Sequence, residues 1–91
     1  MIDLRLPSSL VVLFPGTARR MARPDAATVI ALIDALDGDH PGMRDRLCEP
    51  GPARRAYINL YVDGEPAELD TPLQAGAVVH ILPAVAGGSS S

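Results

Sequence analysis

A single amphipathic helical segment, set among several short strand-like segments, limits the folds open to this chain. Its apolar residues recur at positions i, i+3, i+4 and i+7, and they are Val29, Leu32, Ile33 and Leu36. This spacing, behind the favourable N-cap residue Thr28, predicts a helix over residues 28–37. Gly38 and the sequence His40-Pro41-Gly42 predict its end. One helix cannot cover both faces of a sheet, so we expect one sheet face to stay partly open.

Strand-like segments lie on both sides of this helix. Alternating apolar and polar residues predict strands over residues 2–6 and 57–62. Residues 17–23 have β-compatible spacing and are predicted to pair with the first strand. Residues 77–83 are apolar at nearly every position, which is typical of a strand in the middle of a sheet.

The turns between these segments complete the predicted topology. Asp63-Gly64 predicts a tight hairpin with a short return strand over residues 65–69. The order strand, strand, helix, strand, short strand, strand predicts an α+β fold. Its architecture is the ubiquitin-like β-grasp, a mixed sheet wrapped around one main helix.

Three segments between these elements give weaker patterns. Leu10 to Phe14 is uniformly apolar and ends at Pro15-Gly16, so it is either a buried strand or an apolar connection over the core. Met43 to Cys48 suits one short helical turn, and Pro50-Gly51-Pro52 predicts a loop.

The length and composition predict one small domain and exclude several classes of protein. The chain has 91 residues with 47% apolar residues, enough for one modest core over residues 1–83. The small residues 84–91 predict a flexible C-terminal tail. A pI of about 5.1 and the lack of Lys argue against nucleic-acid binding and against a polybasic membrane surface. The lone Cys48 and the absence of a signal-peptide pattern favour a cytoplasmic protein.

Charge is unevenly distributed along the chain. Residues 1–55 contain all eight Arg residues, whereas the acidic residues of the second part have no cation near them in sequence: Asp63, Glu65, Glu68 and Asp70. This asymmetry is consistent either with a solvated loop or with an acidic contact surface for a basic partner.

The residues that most often carry chemistry do not form a recognisable catalytic or metal-binding pattern. Cys48 is 8 positions from His40 and 32 from His80, and there is no second Cys, so the spacing predicts no metal site. His80 lies in an apolar strand and is interpreted as a packed or hydrogen-bonded core histidine. No known nucleophile signature surrounds Cys48, and Gly87-Gly88 lacks the helix and Lys of a phosphate loop.

The C-terminal segment gives the most specific signal. Ile81-Leu82-Pro83-Ala84-Val85-Ala86-Gly87-Gly88 resembles the terminus of the ThiS/MoaD family of ubiquitin-like sulfur carriers, particularly its CysO-like branch. The resemblance extends to residues 27–29, 40–47, 57–65 and 70–73, and so covers nearly the whole chain. The sequence differs from the family pattern in the strongly apolar region Leu10 to Phe14 and in three Ser residues after the diglycine.

The resemblance implies a carrier without catalytic activity or a cofactor of its own. An ATP- and Mg²⁺-dependent adenylating enzyme would activate the Gly88 carboxylate, and a sulfur donor would convert it to a thiocarboxylate. Six residues of about 3.3 Å each would give the tail a reach of about 20 Å into a partner's active site. The tail residues that would enter the partner with Gly88 are Pro83, Ala84, Val85, Ala86 and Gly87.

The three terminal Ser residues imply processing or an added extension. Ser89, Ser90 and Ser91 would have to be removed before Gly88 could react, and the resemblance implies a JAMM-type metalloprotease for this step. The sulfur would then pass to a biosynthetic enzyme for cysteine or another sulfur-containing metabolite. The small subunit of molybdopterin synthase, a ubiquitin-like protein modifier and an inert interaction module remain alternatives.

Overall fold

The computed structural model describes residues 1–47 and 58–83. These residues form five strands and three helices. In chain order they are β1 (Ile2–Arg5), α1 (Ser8–Leu13), β2 (Arg20–Arg23), α2 (Val29–Asp39), α3 (Met43–Leu47), β3 (Ile58–Val62), β4 (Glu65–Ala67) and β5 (Val78–Pro83).

The strands form one mixed sheet in the order β2-β1-β5-β3-β4. β5 occupies the centre, parallel to β1 and antiparallel to β3. The outer pairs, β1 with β2 and β3 with β4, are antiparallel. This topology confirms the predicted pairing of the first two strands, the Asp63-Gly64 hairpin and the central place of the last strand.

The main helix covers one face of this sheet. The Thr28 side chain accepts a hydrogen bond from the Ala31 backbone N–H at 3.2 Å, which confirms Thr28 as the N-cap. The four apolar residues predicted to face the core are all fully buried. They share a core with β1, β3 and β5, whose fully or nearly fully buried members include Ile2, Leu4, Ile58, Leu60, Val79 and Ile81. The predicted β-grasp architecture is therefore confirmed.

Of the two alternatives for Leu10 to Phe14, the buried strand is wrong, because this segment lies in and just after α1. The apolar connection over the core agrees with the structure, and it takes the form of a short helix. Pro7 is the N-cap, and its carbonyl accepts hydrogen bonds from the backbone N–H groups of Leu10 and Val11. Leu10 is buried and Phe14 packs beside the core, whereas Val12 is 80% exposed. The last four residues of this short helix are all apolar, so the sequence shows no spacing that would indicate a helix.

The end of α2 also differs from the prediction. Gly38 does not end the helix, which continues to Asp39 and has His40 as its C-cap. In the turn that follows α2, Gly42 has a positive φ of +100°. The Asp37 carboxylate accepts hydrogen bonds from the backbone N–H groups of Gly42 and Arg44 at 3.1 Å each, so a side chain helps hold the turn into α3.

Smaller differences concern the bounds of other elements. β2 begins at Arg20 rather than at residue 17, and β4 ends at Ala67 rather than at residue 69. The short helix predicted after Pro41-Gly42 is α3, which the structure describes to Leu47. The predictions for Cys48, for the loop at 50–52 and for residue 57 lie outside the described residues.

Candidate functional site

The candidate site is the C-terminal segment, and the fold determines where it begins. β5 ends at Pro83, which pairs with Ile58 of β3. Of the residues predicted to enter a partner, only Pro83 lies within the described part of the chain. The predictions for residues 84–88, for the removed extension 89–91 and for the tail as a separate segment concern residues that the structure does not describe.

β5 is held along its length by two neighbouring strands. β1 pairs with residues 78–80 of β5, and β3 pairs with residues 79–83. At the beginning of β5, the backbone N–H of Asp63 donates to the Val78 carbonyl at 2.8 Å, and the Asp63 carboxylate accepts from the Val78 N–H at 2.9 Å. The last described residues before the C-terminal segment therefore belong to the central strand, and backbone pairing fixes their position.

The two faces of the sheet differ in chemistry. Alternate residues of β5 are buried against α2, namely Val79 and Ile81, whereas Val78, His80 and Leu82 lie on the face without the main helix. His80 is half-buried on this face, opposite Arg5 on one side and Tyr61 on the other. The interpretation of His80 as a core histidine is therefore wrong. Its polar side chain follows the alternation of the strand and faces away from the core.

A cluster of charged residues lies on the same face. The Asp3 carboxylate accepts two hydrogen bonds from Arg5 at 3.0 Å and one from Arg20 at 3.2 Å. The hydrogen bonds from Arg5 lower the pKa of the Asp3 carboxyl, and the positive charge of Arg20 lowers it further against a raising effect of desolvation. The same hydrogen bonding raises the pKa of the Arg5 guanidinium.

Sequence reasoning missed this cluster because its members come from two separate strands. Arg5 of β1 pairs in register with Arg20 of β2 on one side and with His80 of β5 on the other. The only available signal was the assignment of residues 17–23 as a strand next to the first one, which would have placed Arg5 and Arg20 on neighbouring strands. The distribution of charge along the sequence indicated only the acidic residues of the second half as a possible contact surface.

The described residues were also compared with the requirements of a metal site and of a membrane-spanning helix. Within residues 1–47 and 58–83, no group of three or more His, Cys, Asp or Glu residues is arranged to hold a metal ion. In the same part of the chain, no helix combines the length and apolarity needed to cross a membrane.

Comparisons with known proteins agree on one family. The sequence model described as the ThiS family matches residues 12–88. The sulfur carrier protein CysO of Mycobacterium tuberculosis is 36% identical over 67 residues, which are 67% of this chain and 72% of that protein. The protein of the same name from Mycobacterium bovis has the same identity and coverage.

Solved structures extend the likeness to the whole fold. A chain in the crystal structure of the Amycolatopsis orientalis BexX/CysO complex has a TM-score of 0.82 at 28% identity, covering 97% of this chain and all of that one. The small archaeal modifier protein 1 of Haloferax volcanii has a TM-score of 0.73 at 28% identity, covering 92% of this chain and 97% of that one. The family match covers well over half of the sequence and the fold agrees with it, so the chain belongs to the ThiS family.

Proposed function

We propose that this protein is a sulfur carrier whose Gly88 carboxylate is activated and converted to a thiocarboxylate. The observation that carries the proposal is the ThiS-family match, which extends through both glycines of Gly87-Gly88. The likeness to the CysO sulfur carrier proteins supports the same function. The position of β5 supports it further, because the segment that would enter a partner begins at a firmly paired central strand.

The chemistry requires activation because a carboxylate is a poor electrophile. An adenylating enzyme would transfer AMP from ATP to the Gly88 carboxylate and release pyrophosphate. Sulfide would then attack the acyl carbon and form the thiocarboxylate, and AMP would leave with one of the carboxylate oxygens. A persulfide donor would instead form an acyl disulfide, and a thiol of the donor enzyme would then cleave its S–S bond, releasing the thiocarboxylate and leaving a disulfide on that enzyme. Glycine at the last two positions leaves no Cβ beside the reacting carbonyl and lets the backbone pass through a narrow channel.

Three partners follow from this scheme. A JAMM-type metalloprotease would remove Ser89, Ser90 and Ser91, the adenylating and sulfur-transferring enzyme would load Gly88, and a biosynthetic enzyme would accept the sulfur. The BexX/CysO complex, which contains a chain of similar fold, supports a role that depends on protein partners. ATP and Mg²⁺ would belong to the adenylating enzyme, and the carrier itself would need no cofactor. The reactions would take place in the cytoplasm.

The test compares the full-length chain with a chain ending at Gly88. With ATP, the cognate adenylating enzyme and a sulfide donor, intact-mass spectrometry should show the trimmed chain gaining about 16 Da as sulfur replaces oxygen. The full-length chain should not change, because its Gly88 carbonyl is part of an amide. A Gly88→Val variant of the trimmed chain should remain unmodified while keeping its fold, since residue 88 is predicted to lie outside the core. Equal sulfur incorporation by the full-length and trimmed chains would contradict the proposal.

A second candidate function is attachment to other proteins as a ubiquitin-like modifier. The likeness to the small archaeal modifier protein 1, at 28% identity over nearly the whole chain, favours it specifically. Both functions begin with adenylation of Gly88, so they differ in the acceptor. Incubation of the activated chain with cell extract, followed by trypsin digestion and mass spectrometry, would distinguish protein attachment from release of sulfide. Attachment would leave lysines of target proteins joined to the chain's peptide 56–88, which contains no Arg or Lys.

A further inference from the structure

A groove of about 360 Å³ lies on the helix-free face beside the end of β5. Its apolar part is formed by Leu6, Pro7 and Leu82. Leu82 is 43% exposed and directly precedes Pro83, so the groove adjoins the point where the chain leaves the sheet. An exposed leucine in an open groove gives a partner a site for an apolar side chain.

The remaining lining of the groove is basic. Arg5, Arg19 and Arg20 contribute to it together with His80. The Asp3 carboxylate pairs with Arg5 and Arg20 and offsets one of the three arginine charges. Arg19 and Arg20 are exposed, so their charges face solvent on the rim.

The acidic residues of the β3–β4 hairpin lie at the other edge of the sheet. Val62, which precedes the turn, pairs with Val79 near the beginning of β5, and with Glu65 across the hairpin. Asp63 and Glu65 therefore lie beside the beginning of β5, whereas the groove adjoins its later residues His80 and Leu82. This separation gives the molecule a positive edge where the chain leaves the sheet and a negative edge at the hairpin.

We infer that this groove docks an acidic segment, carrying an apolar side chain, on the enzyme that receives the tail. The inference rests on the proposed function and adds the chemistry by which that enzyme recognises the carrier. Complementary charge at the rim increases the rate of association and orients the encounter. Because the positive edge coincides with the exit of the chain, the same attraction directs the tail toward the partner.

Two other occupants of the groove fit the observations less well. The segment 84–91 contains no acidic side chain, so the chain's own tail offers the rim only the single charge of its terminal carboxylate. A second copy could offer its acidic hairpin, but Asp63 already accepts a hydrogen bond from Val78 and is engaged in its own fold. Self-association is nevertheless an outcome that the experiment distinguishes.

The experiment measures adenylation of the trimmed chain by its cognate adenylating enzyme, using ATP–pyrophosphate exchange. Arg19→Glu reverses one rim charge, and Arg46→Glu makes the same charge change at an exposed residue of α3, beyond the covered side of the sheet. Arg19→Glu should raise KM about tenfold with little change in kcat, because rim charges act mainly on association. Arg19→Lys keeps the positive charge, so its KM should stay close to that of the unaltered trimmed chain. Arg46→Glu should also leave KM at that value. For the unaltered trimmed chain, KM should rise with ionic strength.

The outcomes separate this inference from the proposed function. If the unaltered trimmed chain is not adenylated, the proposed function fails. If it is adenylated but Arg19→Glu and Arg46→Glu have equal KM values, or KM does not respond to salt, the docking inference is wrong and the function stands. Sedimentation of the chain alone tests for self-association. A dimer that Arg19→Glu dissociates would show that the groove binds a second copy, and the docking inference would be wrong.

Discussion

At the scale of single residues, Asp3 shows how a polar group is accommodated on the helix-free face. Its carboxylate lies between two arginines from neighbouring strands, and three hydrogen bonds hold it there. Hydrogen bonds to a carboxylate stabilise its charged form and lower its pKa. The stabilisation that both arginines gain from Asp3 therefore depends on its ionised form.

The first prediction concerns the titration of Asp3. A carboxyl whose folded pKa is lowered contributes stability above its unfolded pKa, and this contribution disappears as the pH falls through the folded pKa. NMR titration of the Asp3 carboxyl should show a midpoint below the ordinary aspartate value. Arg5→Gln should raise that midpoint more than Arg20→Gln, because the hydrogen bonds from Arg5 have the largest effect. An unchanged midpoint in Arg5→Gln would contradict this account.

At the scale of structural elements, the β3–β4 hairpin holds the beginning of β5 as well as its own strands. Asp63 has φ +51°, a left-handed conformation that most side chains avoid. Its carboxylate accepts a hydrogen bond at 2.9 Å from the backbone N–H of Val78, the first residue of the neighbouring strand β5. One residue therefore satisfies the turn geometry and secures the strand that leads to the tail.

The second prediction tests these two roles of Asp63 separately. Asp63→Ala should lower the free energy of unfolding by about 1–3 kcal/mol, since it loses the hydrogen bond and keeps the unfavourable φ. Asp63→Gly should lose less, because glycine adopts positive φ freely. Asp63→Asn should lose least, since it retains an acceptor and tolerates this conformation. Urea unfolding of the three variants measures the differences, and equal losses in Ala and Asn would show that the side-chain oxygen is unimportant.

The elements that were predictable from the sequence are those with a clear period or a specific turn. α2 followed from four apolar residues behind Thr28, and the hairpin followed from Asp63-Gly64. α1 did not, because its six residues are too few to show a helical period and its last four are all apolar. The end of α2 was misplaced because Gly38 fits within the helix while Asp37 caps the following turn.

The candidate site was predictable in part for the same reason. The resemblance of the terminal segment identified the family, but the basic groove depends on strand pairing that places Arg5 beside Arg20 and His80. Such neighbours are 15 or more positions apart in the chain, so local patterns do not reveal them.

At the scale of the whole molecule, the two faces of the sheet have different environments. Its covered face forms the core with α2, and its other face presents half-buried polar and charged residues. A chain of this length has a single small core, so nearly every core side chain contributes to stability. The helix-free face can consequently vary for partner recognition as long as the covered face remains packed.

The third prediction tests the place of α2 in the core by removing apolar side chains from a buried and from an exposed helical position. Leu32 of α2 is fully buried, so Leu32→Ala should lower the free energy of unfolding by about 2–5 kcal/mol through lost transfer energy and the cavity left behind. Val12→Ala is the matched control, because Val12 is 80% exposed on α1 and its truncation should change stability by less than about 0.5 kcal/mol. Urea unfolding with an unchanged m-value would show that both variants keep the same folded state. A loss below about 1 kcal/mol for Leu32→Ala would mean that α2 does not form the centre of the core, and that the packing of this helix against the sheet is not what holds the fold together.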